Sequence, residues 1–189
     1  MWVATPSKHS SHANQVRLIG GDFRRRRLHF PDAPGLRPTP DRVRETLFNW
    51  LGQDLTGMAC LDAFAGSGAL GFEAASRNAS RVVMLESSRE TVEVLKKNQE
   101  MLNARQVEIV QADAMSWMKR SQARFDLVLL DPPFNSGLMM QALPLATELL
   151  TPAGWLYVEQ ATRITPPDRF IIHREGTAGQ SHFALLKRA

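Results

Sequence analysis

A chain of 189 residues with 43% hydrophobic and 22% charged side chains has the composition of one globular domain with an ordinary core. No apolar run approaches the roughly 20 residues of a membrane span, the opening MWVATPSKHSSHAN lacks the apolar stretch of a secretory signal, and the lone Cys60 excludes a disulfide framework; a soluble cytoplasmic protein is expected, with Cys60 a core thiol. The net charge of +4 is uneven: residues 1–44 hold nine Lys/Arg against three Asp/Glu while 45–189 hold 14 against 16, the pattern of a polyanion-binding extension, or of a solvated basic tail, on a near-neutral body.

Residues 1–14, with their Ser, His and Asn, read as a flexible tail. Residues 16–19, then Gly20, Gly21 and Asp22, then 26–30 predict a short hairpin with a glycine turn, carrying Arg24, Arg25, Arg26 and Arg27 on its return limb. A loop follows over 31–38. Thr39, Pro40 and Asp41 have the pattern of an N-cap, a proline at the first helical position and a first-turn acid. Val43, Leu47, Trp50 and Leu51 continue at helical spacing until Gly52.

From Met58 onward, strand-like runs at 59–64, 81–86, 107–111, 125–130 and 155–159 alternate with helical patterns at 69–77, 88–103, 114–120 and 138–150. That alternation predicts an α/β fold, a doubly wound and mostly parallel sheet with helices on both faces. Residues 170–174 and 182–187, separated by Gly176 and Gly179, predict a terminal antiparallel pair. The expected organisation is a single domain over 15–189, with a basic hairpin extension at 15–38 ahead of an α/β core at 39–189.

The first strand of that core runs into Asp62, Phe64, Gly66, Gly68 and Gly71, a glycine-rich turn between strand and helix. The glycine spacing alone is shared with dinucleotide sites. Asp62 decides between them: a pyrophosphate gains nothing from a nearby anion, whereas S-adenosylmethionine has no phosphate and carries an ammonium and a sulfonium. Glu86 closes the second strand where an acid accepts hydrogen bonds from ribose hydroxyls, and Asp113, with Ala114 beside it, follows the third strand where it can meet the adenine amino group. Each acid also suits a strand end or helix cap. Their succession at the carboxyl ends of three strands favours the cofactor.

The fourth strand runs directly into Asp131, Pro132, Pro133 and Phe134. Two prolines fix the backbone and remove donors, so the turn presents acceptors, the Asp131 carboxylate and the Pro132 carbonyl. Two acceptors gripping the N–H bonds of an exocyclic base amine would localise its lone pair toward an incoming methyl group. The sulfonium is already activated, so positioning carries most of the rate and no strong base is required. Phe134 offers a face for an extruded base. This chemistry suits the amines of guanine and adenine alike.

These residues resemble the class I methyltransferases that carry a DPPF-type motif and modify nucleobase amines. Arg17-Leu18-Ile19-Gly20-Gly21 before the arginine run, Leu36-Arg37-Pro38-Thr39, and the stretch from Asp41 through Arg42, Arg44 and Leu47 to Trp50 are similar to the RsmD-type 16S ribosomal RNA guanine-N2 methyltransferases. The resemblance spans 16–189. It implies a seven-stranded Rossmann-like methyltransferase sheet, methylation of a guanine N2 amine, and 16S ribosomal RNA within the small subunit or its precursor as partner. It further implies cofactor roles for Asp62, Phe64, Gly66, Gly68, Glu86, Asp113 and Ala114, and target-base roles for Asp131, Pro132, Pro133 and Phe134. One departure stands out: Arg25 occupies a place where the family commonly has glycine.

Arg24, Arg25, Arg26, Arg27, Arg37, Arg42 and Arg44 form a set able to contact phosphates, which would position RNA with little sequence reading. Arg42 and Arg44 suit helix ion pairs equally well. A DNA adenine-N6 methyltransferase and a non-catalytic RNA-binding assembly factor are the competing readings. An NAD-dependent oxidoreductase would want a proton-transfer residue that no His or Tyr supplies here. His9, His12, His29, His173 and His182 are scattered without metal-ligand spacing, so no metal is expected, and a monomer is expected to suffice.

Overall fold

The computed structural model describes residues 14–134 and 136–189, so the tail expected over 1–14 lies, up to residue 13, outside the described residues. Among the described residues, β1 (Gln15–Arg17) and β2 (Arg27–His29) pair antiparallel as a separate ribbon. Seven further strands form one sheet: β3 (Ala59–Asp62), β4 (Arg81–Glu86), β5 (Val107–Gln111), β6 (Phe125–Leu130), β7 (Leu150–Gln160), β8 (Phe170–Ala178) and β9 (Ser181–Arg188). Their spatial order is β5-β4-β3-β6-β7-β9-β8. The first five in that order are parallel, and β9 inserts antiparallel between β7 and β8.

The helices α1 (Asp41–Trp50), α2 (Ala69–Ser76), α3 (Arg89–Leu102), α4 (Ala114–Arg120) and α5 (Leu138–Glu148) cover both faces. Alternate strand residues such as Cys60, Val82, Met84, Leu127 and Leu129 pack with α1, α2, α3 and the ribbon. Their neighbours Leu61, Val83, Leu85, Val128 and Leu130 pack with α4 and α5. Burial on both sides is why these strands read as continuous apolar runs. Strand order reverses at β3, which has β4 on one side and β6 on the other, and such a reversal opens a crevice at the carboxyl ends of the strands. Among the described residues no helix is long and apolar enough to cross a membrane.

The ribbon departs from the expected hairpin. Pairing closes through Leu18 and Arg26, leaving a wide connection in which Arg24 and Arg25 are turn residues; Arg27 alone of the four lies in β2. Gly21, at φ +68, is pressed against α2, where a Cβ would stand 1.7 Å from the Ser76 carbonyl oxygen. Docking on α2, not a tight glycine turn, shapes the segment. Arg25 itself adopts φ +70, the left-handed conformation in which glycine is cheap.

Beneath the ribbon lies an ion cluster that the sequence did not announce. Glu73, fully buried on α2, accepts from the backbone N–H groups of Ile19 and Gly20 and pairs with Arg44 at 3.1 Å and Arg77 at 3.0 Å. Arg44, also fully buried, reaches the carbonyl oxygens of Thr39 and Arg17 as well. Every polar atom of the cluster is thereby engaged, as buried charge requires. Two smaller corrections follow from the same packing: Thr39 does not cap α1, whose N-cap position is Pro40, and Gly176 lies within β8, the turn falling at Gly179 and Gln180.

Candidate active site

The carboxyl ends of β3, β4, β6 and β7 and the loop before α1 enclose a cavity of about 780 Å³. Asp62, at the end of β3 and 1% exposed, accepts the Gly71 N–H through Oδ2 at 2.9 Å. Its Oδ1 has no hydrogen-bond partner among the described residues. Burial pushes this carboxyl up to about 7, against the pull of the Gly71 and Phe64 amides, with Glu86 adding to the rise. A buried acceptor left over beside a cavity marks a place for a donor or cation.

Glu86, at the end of β4, holds the glycine turn: Oε2 accepts the Gly66 N–H at 3.1 Å and Oε1 the Ser88 N–H at 2.7 Å. Oε1 also accepts the Ser87 hydroxyl at 3.5 Å, Oε2 keeps acceptor capacity, and Glu86 lines the cavity. Phe64 and Gly66 line the cavity as well. Gly68 does not; it adopts φ +79 ahead of α2 and a Cβ there would stand 2.7 Å from Leu95, so its role is close packing of α2 on α3.

Asp113 and Ala114 also stay off the cavity. Asp113 is exposed and caps α4, accepting the Ser116 N–H at 2.8 Å, and the Ser116 hydroxyl and N–H together hold its carboxyl below the ordinary range. Capping, the competing use of an acid in that position, occupies Oδ1 of Asp113.

Asp131, Pro132, Pro133 and Phe134 all line the cavity. Asp131 is half-buried and accepts the Thr39 hydroxyl at 3.1 Å. Burial, then the nearby Glu159 charge, push its carboxyl well above the usual carboxylate range, while Thr39 pulls the other way. Pro132 is buried; Phe134 is 45% exposed, a large ring left open at the mouth. The asymmetry puts an acceptor at the back and an aromatic face in front.

Several lining residues escaped the sequence reading. Glu159, 4% exposed near the end of β7, accepts the Tyr157 hydroxyl at 2.7 Å and the Ser181 hydroxyl at 2.6 Å. Its signal was present, an acid closing the apolar strand run 155–158 as Glu86 closes 81–85. Thr39 and Leu36 from the loop before α1, and Gln180 and Ser181 from the last turn, had no such signal, since only tertiary packing brings them in.

The arginines divide. Arg37 lines the main cavity. Arg24 and Arg25 line another cavity of about 530 Å³, beside Arg17, on the ribbon. Arg26 donates to the Met101 carbonyl at 2.9 Å and Arg27 to Gln15 at 3.3 Å, both at the surface. Arg42 is exposed, and Arg44 is removed from the phosphate-contacting set by its burial.

Comparison with known proteins gives this geometry a lineage. Residues 16–187 match the family model described as "Conserved hypothetical protein 95". The chain is 43% identical over 187 residues to ribosomal RNA small subunit methyltransferase D of Escherichia coli strain K12, covering 94% of this chain and 92% of that protein. It is 42% identical to the protein of the same name from Haemophilus influenzae, covering 92% and 94%. The solved structure of "Putative methyltransferase yhhF from Escherichia coli" superposes with a TM-score of 0.83 at 42% identity, over 92% of this chain and 98% of that one. With its reversed-order α/β sheet, its acid-and-glycine turn and its Asp-Pro-Pro-Phe corner, the chain belongs to the ribosomal RNA small subunit methyltransferase D family.

Proposed function

We propose that this methyltransferase uses S-adenosylmethionine to methylate the exocyclic N2 amine of one guanine in the 16S ribosomal RNA of the small subunit or its precursor. The observation that carries the reading is a shared space: one cavity joins Asp62, an acid with a vacant acceptor, to residues 131–134, an acceptor corner with an aromatic lip. The name borne by relatives at 42–43% identity supports the substrate class.

The chain's residues fit the cofactor. Asp62 offers a buried oxygen to a cationic group, Glu86 offers acceptors to ribose hydroxyls, and Phe64 and Gly66 complete that wall. When bound, S-adenosylmethionine supplies a methyl group already activated on a sulfonium. Asp131 and the Pro132 carbonyl accept the two N–H bonds of the base amine and turn its lone pair away from the ring. Asp131, with its raised proton affinity, then takes the proton that the methylated amine sheds. Phe134 stacks on the extruded base.

Residues 15–189 act as one unit in this reading, which takes the protein as a monomer. Arg24, Arg25, Arg37 and Arg42 hold phosphates, with Arg26 and Arg27 adding to the field of the ribbon. Such contacts position the RNA, so the shape of the RNA or particle selects the nucleotide.

The test is transfer of a labelled methyl group to unmodified small subunits, naked 16S RNA and DNA, followed by nucleoside analysis. N2-methylguanosine in the subunit sample is expected. Methylated adenine in DNA would overturn the proposal in favour of an adenine-N6 enzyme, and no transfer at all would leave an RNA-binding factor.

A further inference from the structure

One acid of the cavity plays no part in the chemistry proposed so far. Glu159 is buried, lines the cavity, and makes no salt bridge among the described residues. Two hydroxyls hold it, that of the fully buried Tyr157 and that of Ser181 at the start of β9. A carboxylate offers about four acceptor positions, so two bonds leave capacity on the open side. An anion fixed by hydroxyls and without a cation is built to receive N–H donors.

Its placement says which donors. β6 and β7 are parallel neighbours with Leu130 opposite Val158 as the last pair of their ladder, so Asp131 and Glu159, the residues that follow, leave the end of that ladder on strands spaced about 4.8 Å apart. Burial first, and then the charge of Glu159, raises Asp131, which sets the two acids within electrostatic reach of each other. The Watson–Crick edge of guanine carries neighbouring donors, N1–H and the N2 amine. Adenine sets its amine beside an N1 lone pair, which a carboxylate repels. Two side-by-side acceptors therefore match the first edge and reject the second.

We infer that Glu159 is the specificity-determining residue of the site: while Asp131 holds the amine, Glu159 accepts the guanine N1–H and turns away a base whose N1 is a bare acceptor. The inference rests on the guanine-N2 reading proposed above.

The experiment replaces the methylated guanine, in reconstituted small subunits, by 2-aminopurine, which keeps the N2 amine and lacks the N1–H. Wild-type protein is expected to lose about 100-fold or more in kcat/KM, because a site built for an N–H is left with an unpaired buried acceptor. Glu159→Gln, whose amide can donate to a bare N1, is expected to lose activity on guanine and to narrow or invert the ratio, with S-adenosylmethionine affinity by calorimetry within about twofold of wild type.

Equal wild-type rates on the two bases would overturn the inference, and that arm needs no variant. A Glu159→Gln protein that slows on both by the same factor would overturn it too, since support of Tyr157 and Ser181 alone predicts an unchanged ratio. Both results leave guanine-N2 methylation standing. Absence of transfer from wild-type protein to guanine itself would instead remove the reading beneath.

Discussion

The hydroxyl of Thr39 donates to Oδ2 of Asp131 across 3.1 Å, tying the loop before α1 to the end of β6, 92 positions along the chain. The bond favours the charged carboxylate, against burial and Glu159, which favour the protonated one. Thr39→Ala is expected to leave cofactor affinity unchanged, to lower kcat about tenfold (~1.4 kcal/mol), and to move the pH limb of Asp131 upward. Thr39→Ser should restore both. A pH–rate profile of the three proteins is the measurement, and a limb that stays put in Thr39→Ala would detach the hydroxyl from catalysis.

Asp62 predicts a pH dependence of cofactor binding. Its carboxyl, pushed up to about 7, holds more protons in the folded chain than in the unfolded one between about pH 4 and 7. Folding stability from this group therefore falls as pH rises through that window and is level above it. A bound cation requires the carboxylate, so S-adenosylmethionine affinity is expected to tighten between about pH 6 and 8 with release of up to one proton. Calorimetry in buffers of different ionisation heat reads that proton directly. Asp62→Asn should bind weakly and without pH dependence; a dependence that survives the substitution would assign the proton elsewhere.

Arg42 and Arg44 differ in consequence although both lie on α1. Arg44→Ala takes one of two cationic partners from the buried Glu73, which keeps Arg77, and strands the Thr39 and Arg17 carbonyls that Arg44 reaches; it is expected to cost about 2–3 kcal/mol, a fall in Tm of roughly 4–12 °C. Arg42→Ala, at an exposed position, should stay within about 0.5 kcal/mol while weakening RNA binding. Thermal melts of the two variants decide it, and matching melting temperatures would deny the cluster its structural role.

Arg25 exchanges stability for charge. Arg25→Gly relieves a φ of +70 and is expected to raise Tm by about 2–4 °C, for about 1 kcal/mol. The same variant should bind RNA more weakly, with a salt slope shallower by about 0.7–0.9 because one phosphate is no longer neutralised. Filter binding over a salt series gives the slope, and an unaltered one would strike Arg25 from the residues that hold phosphate.

Strand placement was legible because β4 and β6 hold apolar runs at 82–85 and 127–130 and β5 holds the β-branched Val107, Ile109 and Val110, and their observed limits coincide with 81–86, 107–111 and 125–130. The acids were legible only as strand ends. Glu86 and Asp113 carry the same sequence signal, yet one turns to the cavity and the other to the first turn of α4, a choice made by the local backbone path. Arg42 and Arg44, two positions apart, point to opposite sides of a helix, and periodicity alone could not say which side meets α2. Glu73 looked like one polar residue in an Ala-rich helix because its partners Ile19 and Gly20 lie 54 and 53 positions upstream.

The insertion of β9 between β7 and β8 sets a timetable for a chain leaving the ribosome. The glycine turn proposed to receive the cofactor is made by β3, α2 and β4, all early in the chain, whereas Ser181, which anchors Glu159, belongs to the strand that follows all the others. Among the described residues β8 has no sheet neighbour except β9, so it stays unpaired until residues 181–188 emerge. A nascent chain thus completes the proposed cofactor turn long before the proposed base site, whose Glu159 waits on a late, non-local pairing event.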